Sequence, residues 1–352
     1  MKPFIYLRGL RHADHTVFCV QDGQKTYFDN QFGRVVAFSS GQQVKRSILT
    51  ELTSLMNAPI APITFNYEIN SRNALENKEP WSPCDPSYVD QLLGGWMKAQ
   101  GGSTPLKRRS PLSISAMRPL HPLLAGTSKE NLTFDRSSNP DHHPVNVRRN
   151  NQLLSEQEIL AYIKENNRTL PRRNWIPENV RTTGLFVYDI AIDLRTLFCV
   201  SMNQHDPELD SDSIDKLLQD GWIKSENVFG QCIVLPQEKR DKIISALANS
   251  LINWRITSNQ ARTFSPTETL AVAISHNANK IAAAIRAKLD EDNEQPKAKP
   301  VLDEIDGAEL FVTLPAGGYI QTHLESADAL DKAEKKLIEI MSSFDYENQV
   351  RK

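Results

Sequence analysis

Eleven prolines fall between residues 70 and 180, at positions 80, 83, 86, 105, 111, 119, 122, 140, 144, 171 and 177, in a stretch rich in arginine and poor in hydrophobic periodicity. Proline fixes φ and removes a backbone donor, so neither a long helix nor a central strand survives such spacing. A compact domain rarely carries so long an irregular segment without a purpose. The stretch 70–181 therefore reads as a large insertion into a regular framework, within a chain of 352 residues, long enough for two domains or for one domain with big insertions.

The framework shows on both sides. FIYL at 4–7 and TVFCV at 16–20 are apolar strand-like runs, with Asp22-Gly23 as a turn signal. GRVVAF at 33–38 predicts another strand, Val44, Ile48, Leu52, Leu55 and Met56 are spaced as one helix stripe ended by Ala58-Pro59, and ITFNYEI at 63–69 predicts a further strand. Inside the insertion, Ser155 and Glu158 form a capping box ahead of Ile159, Tyr162 and Ile163. Beyond it, period-two apolar residues at 184–202 predict a long strand or a hairpin, and 238–253 predicts a helix opened by Pro236. Ser265-Pro266-Thr267-Glu268 opens another helix, 289–300 is a polar loop, and 327–343 is a last helix. This order predicts an α+β fold. Its palm would be RRM- or ferredoxin-like, β-α-β-β-α-β, built from 1–69 and 182–260, with a helical part at 261–352 packed on it. A sheet of another α/β topology is compatible with the same order.

No apolar run reaches the length of a membrane span, and the start has no signal-peptide pattern, which predicts a cytoplasmic protein with no membrane partner. Cys19, Cys84, Cys199 and Cys232 stand singly, as reduced thiols do, and Cys19 and Cys199 lie in apolar runs that favour burial. No metal-ligand spacing occurs among His12, Asp14 and His15, at His142-His143 or at His205-Asp206, and no glycine-rich phosphate loop is present, so no cofactor or metal is expected. Trp81, Trp96, Trp175, Trp222 and Trp254 read first as core residues and second as stacking platforms for bases. The net charge of −2 hides a polarity: residues 1–60 hold seven Lys/Arg against four Asp/Glu and 98–181 hold fourteen against seven, whereas 182–352 is net −9. A basic first half suits a polyanion, and an acidic second half suits a basic surface on a neighbour. Chance segregation of solvated charges gives the same pattern.

The junction AFSSGQQVKRSI at 37–48 concentrates these themes. Ser40 is placed as an N-cap and Gln43 as its capping-box partner. Gln42, Lys45 and Arg46 fall away from the apolar stripe and face outward together. Free N–H groups and the helix dipole already favour anions here, and Ser, Gln, Lys and Arg make the turn a phosphate cradle. An amphipathic helix with an ordinary solvated face is the plainer reading.

The run KTYFDNQFGRVVAFSSGQQVKRSI at 25–48 resembles the signature of the Cas-seven family, the repeating guide-RNA-binding backbone subunit of Cascade-type CRISPR effector complexes. In that family a strand carrying Arg leads into Ser-Ser-Gln-x-x-Lys-Arg and a helix; here Gly41 lengthens the Ser-Ser-Gln step. The Pro- and Arg-rich insertion, with KRRSPLSISAMRPLHP at 107–122, is similar in position to the family's finger and thumb region. The resemblance implies a non-catalytic subunit that polymerises head to tail along the crRNA, contacts other Cascade-type subunits, and presents the guide to target nucleic acid, DNA before RNA. It implies guide-phosphate contacts by Lys45 and Arg46, with Ser39, Ser40, Gln42 and Gln43 donating neutral hydrogen bonds nearby, and Lys25 and Arg34 as further contacts. Arg34 has a second role open to it, pairing with an acidic residue across the sheet. Lys107, Arg108, Arg109 and Arg118 would touch guide or target strand, or form a solvated basic loop. The alternative is an RRM-like endoribonuclease using a histidine or Asp29. Asp22, before Gly23, reads better as a turn residue.

Overall fold

The computed structural model describes residues 2–18, 23–98, 104–135, 139, 144–256, 267–290 and 296–350. The chain runs through β1 (Phe4–Thr16), β2 (Thr26–Asp29), β3 (Arg34–Ala37), α1 (Gly41–Leu55), β4 (Thr64–Ile69) and β5 (Leu75–Trp81). Then come α2 (Val89–Gly94), β6 (Trp96–Lys98), β7 (Leu106–Arg108), β8 (Leu112–Ile114), β9 (Arg118–Pro119) and β10 (Ala125–Asp135). Next are β11 (Arg148–Arg149), β12 (Gln152–Leu153), α3 (Glu156–Glu165), β13 (Arg173–Asp193), β14 (Cys199–Ser201), α4 (Ser211–Gln219), β15 (Ile223–Asn227) and β16 (Gly230–Val234). The chain ends with α5 (Gln237–Asn253), β17 (Thr269–Ser275), α6 (Ala278–Ala284), β18 (Ile285–Asp290), β19 (Lys297–Leu302), β20 (Ala308–Thr313), β21 (Glu325–Ser326) and α7 (Ala329–Ser342). The fold is mixed, with a large sheet and seven helices among the described residues.

Two compact units result, one of residues 1–127 and 182–352, the other of 128–181. In the larger unit β1 lies between β13 and β17, antiparallel to both, and β17 pairs antiparallel with β20. On the far side of β13, β8 and β9 add antiparallel segments. The two faces of β1 follow from its period of two. Ile5, Leu7, Gly9 and Arg11 stand opposite Ile192, Ile190, Tyr188 and Phe186, and this face packs against Val44, Ile48 and Leu52 of α1 and Ile244, Leu247 and Leu251 of α5. Leu10 and Val187 belong to the other face, where Ala273, Ile281, Ile285 and Leu302 form a second, smaller core.

Arg11 is buried in the main core. Its Nη1 donates to the Trp254 carbonyl at 2.7 Å and its Nη2 to that of Ile252 at 2.6 Å, while the guanidinium lies 4.0 Å from the centre of the Trp254 ring. Tyr188 Oη donates to the Leu251 carbonyl at 2.9 Å. Together they satisfy the open carbonyls at the C-terminus of α5, whose partial negative charge suits a cation. Burial still pushes the Arg11 pKa down. Gly9 makes room for this arrangement, because a Cβ there would stand 2.3 Å from Tyr188 Cε1.

The smaller unit holds the β11–β12 pair and α3. The expected capping box at Ser155 and Glu158 is formed in full, and the exposed Arg173 Nε donates to Asp135 Oδ1 at 2.8 Å. No residue of α3 is buried.

Several expectations change. The run at 4–7 and the start of the run at 16–20 belong to one strand, β1, which extends to Thr16; residues 19–22, with Cys19 and Asp22, lie outside the described residues. The helix expected to open at Ser265-Pro266-Thr267-Glu268 is not found: 257–266 lie outside the described residues, and Thr269–Ser275 is the strand β17, whose β-branched and small residues are buried on both sides. The polar loop expected at 289–300 gives way to a hairpin, β18 with β19, and only 291–295 fall outside the described residues. Cys84, Cys199 and Cys232 are free and buried. Trp96, Trp222 and Trp254 are buried, Trp81 is half-buried, and the side chain of Trp175 lies outside what is described. Among the described residues no helix is long and apolar enough to cross a membrane.

Gly9→Ala is expected to cost about 1–3 kcal/mol, since Tyr188 is held by its hydroxyl and cannot retreat freely. Urea unfolding reads this as a lower midpoint with an unchanged slope; an unchanged midpoint would show that the ring has room to move.

Candidate nucleic-acid interface

The start of α1 is fixed by a seam to the segment 114–118. Ser39 N donates to the Met117 carbonyl at 2.9 Å, and Met117 N donates back to the Ser39 carbonyl at 3.0 Å. Gly41, the first residue of α1, lies so close to this segment that a Cβ would stand 2.6 Å from the Ile114 carbonyl oxygen. The extra glycine in the Ser-Ser-Gly-Gln step thus has a steric reason. Ser40 is the N-cap, its hydroxyl accepting from Gln43 N at 3.3 Å. The capping box is only half formed: Gln43 Nε2 donates forward to Ser47 Oγ at 3.4 Å.

Ser39 is buried and its hydroxyl donates to the Phe18 carbonyl at 3.3 Å, so it holds the chain together and offers nothing to a ligand. Gln42 and Arg46 are exposed, and Lys45 is half-buried. Among the described residues neither Lys45 nor Arg46 forms an ion pair, and the first turn of α1 has no acidic residue. Partial burial pushes the Lys45 pKa down. Two cations near the positive end of a helix are electrostatically unfavourable until an anion arrives.

The β2–β3 hairpin adjoins this turn through the backbone. Lys25 is exposed ahead of β2, and Arg34 stands opposite Asp29 in the ladder without forming an ion pair among the described residues. Asp29 Oδ1 accepts from Phe32 N at 2.8 Å and so serves the turn. Burial pushes the Tyr27 phenol up, as does Asp29, while the nearby Arg118 charge opposes them.

The four cations of the insertion divide sharply. Lys107 and Arg109 are exposed. Arg108 is a correction: it is 3 % exposed, and its guanidinium donates to the carbonyls of Cys199 at 2.6 Å and Thr196 at 2.8 Å and to Glu208 at 3.1 Å. It is a structural residue, not part of a binding surface. Arg118 shares Asp189 with Arg8. Arg8 stands directly opposite Asp189 in the β1–β13 ladder and grips both carboxylate oxygens, at 2.6 and 3.1 Å, whereas Arg118 reaches Oδ2 with both terminal nitrogens at 3.2 Å. Sequence reasoning misses Arg8 and Asp189; the available signal is a charged residue standing within an otherwise apolar strand.

His12 is held by its neighbours, its Nδ1 3.4 Å from Glu268 and its ring 3.9 Å from that of Tyr319. His142 and His143 lie outside the described residues. No cluster of three or more metal-binding side chains occurs among the described residues.

No family model and no curated protein matches the chain. Among solved structures, it is similar to a chain of a "CRISPR RNA-guided surveillance complex, pre-nicking", at 11% identity and a TM-score of 0.44, covering 96% of this chain and 89% of that one. It is also similar to a chain of a "CRISPR RNA-guided surveillance complex", at 12% identity and a TM-score of 0.38, covering 96% of this chain and 84% of that one.

Because Lys45 is charged against its surroundings, Lys45→Met is expected to raise the thermal midpoint at neutral pH by up to about 2 °C. A folded pKa below the unfolded one means a cost that is full at low pH and vanishes once both states lose the proton, so the gain should shrink as pH climbs through the lysine range. A lower midpoint for Lys45→Met at neutral pH would contradict this electrostatic account.

Proposed function

We infer that this protein binds single-stranded RNA through the first turn of α1, as a non-catalytic crRNA-binding backbone subunit of a Cascade-type complex. The observation that carries the reading is the pair Lys45 and Arg46, held near the positive end of α1 with exposed Gln42 and without an ion pair among the described residues. Such a turn binds phosphates without reading bases, since Lys supplies a point charge and Arg a two-pronged donor. The resemblance of 25–48 to the Cas-seven signature falls on the same residues.

The strand order supports an RRM- or ferredoxin-like palm. β17, β1 and β13 stand side by side with β8 and β9 beyond, all antiparallel to their neighbours, and α1 and α5 cover one face. This order fits a β-α-β-β-α-β unit whose second strand comes from the segment before β13. In this reading the finger and thumb region is drawn from 70–181 apart from β8 and β9, which belong to the palm; Lys25, Arg34, Lys107, Arg109 and Arg118 are outlying phosphate contacts, and Ser40 and Gln43 shape the turn. Copies meet head to tail along the crRNA, the acidic second half of one against the basic first half of the next, an arrangement that gives an open filament. Other Cascade-type subunits and target DNA complete the partners, in the cytoplasm.

Among the described residues Asp29 serves a turn and His12 is stacked on Tyr319 beside Glu268, which favours the non-catalytic reading over the endoribonuclease alternative. Incubation with repeat RNA and target RNA, with and without divalent metal, is expected to leave both intact; site-specific cleavage abolished by one substitution would favour the enzyme.

The double variant Lys45→Glu, Arg46→Glu is expected to weaken RNA binding similarly for all sequences and to flatten its log–log salt dependence by about two units at most. Affinity equal to wild type would overturn the proposal.

A further inference from the structure

On the sheet face away from α1 and α5, Tyr6 stacks on Phe4, with ring centroids 6.0 Å apart, and its cross-strand neighbours are small. Tyr6 of β1 is flanked by Ala191 on β13 and by Ser275 on β17, and Ala191 in turn by Ser113 on β8. The small Ala191 and Ser113 leave a cavity of about 410 Å³ beside it, with Tyr6, Arg8, Ser115 and Asp189 among its walls and Ile281 of α6 also lining it. That volume suits a ligand of nucleotide size. The next row across the sheet is Arg8 opposite Asp189, with Ser115 Oγ accepting from Asp189 N at 2.9 Å.

The charges in this row do not balance. Asp189 meets two guanidinium groups, and Arg8 alone occupies both of its oxygens. Arg118 is the surplus cation: its side chain is 42% exposed, against 13% for Arg8, and its contacts to Asp189 are longer. A phosphate would give Arg118 a partner of its own and leave Asp189 to Arg8, a charge-neutral exchange with two-pronged geometry.

The cavity also shares a wall with the α1 turn. Ile114 and Ser115 line it, and the backbone of the same two residues touches Gly41 at the start of α1. One RNA strand can therefore lie against both.

We propose that this cavity takes the base of one RNA nucleotide, stacked on the free face of Tyr6, and that Arg118, which meets Asp189 at the cavity wall, holds the adjoining phosphate. The proposal rests on the RNA-binding reading above and adds a base-dependent contact to one that is otherwise blind to the base. Stacking on an aromatic ring tolerates every base, since each has a π-face.

The test uses the full chain freed of RNA and two probes of equal length, an oligouridine and an oligomer of abasic ribose phosphates. Tyr6→Leu is expected to weaken oligouridine binding about tenfold, leave abasic binding as in wild type, and be rescued by Tyr6→Phe. Arg118→Gln is expected to weaken both probes and lower the log–log salt slope by about one. Thermal midpoints near wild type certify that the variants fold, and the salt slope of Arg118→Gln carries the test if Tyr6→Leu does not. Wild-type preference for oligouridine persisting in Tyr6→Leu, or an unchanged slope in Arg118→Gln, would overturn the site while the α1 cradle stands. Wild-type protein that binds neither probe would overturn both.

Discussion

The contact between Gly41 and the Ile114 carbonyl, locked by the reciprocal Ser39 and Met117 hydrogen bonds, sets where α1 begins. Everything proposed about RNA depends on that seam. It brings the first turn of α1, the β2–β3 hairpin and the edge segment with Ser113, Ser115 and Arg118 to one region of the larger unit. A side chain at position 41 would push the helix away from the segment and break the line from Lys45 to Arg118.

Electrostatics gives the region its direction. Cations of the interior are answered: Arg11 by the carbonyls ending α5, Arg108 by two carbonyls and Glu208, Arg8 by Asp189. At the surface the pattern reverses, with Lys45 and Arg46 outside any ion pair among the described residues and Arg118 sharing a carboxylate already taken. Most buried cation donors find acceptors, with Arg11 Nε the exception, whereas the cations at the seam are poorly matched; the proposed RNA site rests on that contrast.

Much of this is legible in the sequence. Period-two and helical spacings locate β3, α1, β4, α5 and α7, and Ser40 is readable as a cap because serine before an apolar stripe has few other uses. Three things are not. Arg108 and Arg109 are adjacent and chemically alike, and only the strand pairing of β7 decides that one points inward and the other outward. β17 reads as the body of a helix because a short buried apolar run has no periodicity that separates the two states. Arg8, Asp189 and Tyr6 are silent in the sequence because their meaning lies in cross-strand partners, more than 180 residues apart in the chain for Arg8 and Asp189, and no local pattern encodes that register.

The most direct measurement is ultraviolet crosslinking of the native assembly to the RNA it carries, with the adducts mapped by mass spectrometry. The account predicts co-purifying RNA and adducts on the peptides that flank the Ser39–Met117 seam, those containing residues near Lys45 and Arg118. An assembly free of RNA, or adducts confined to peptides remote from that seam, would contradict it.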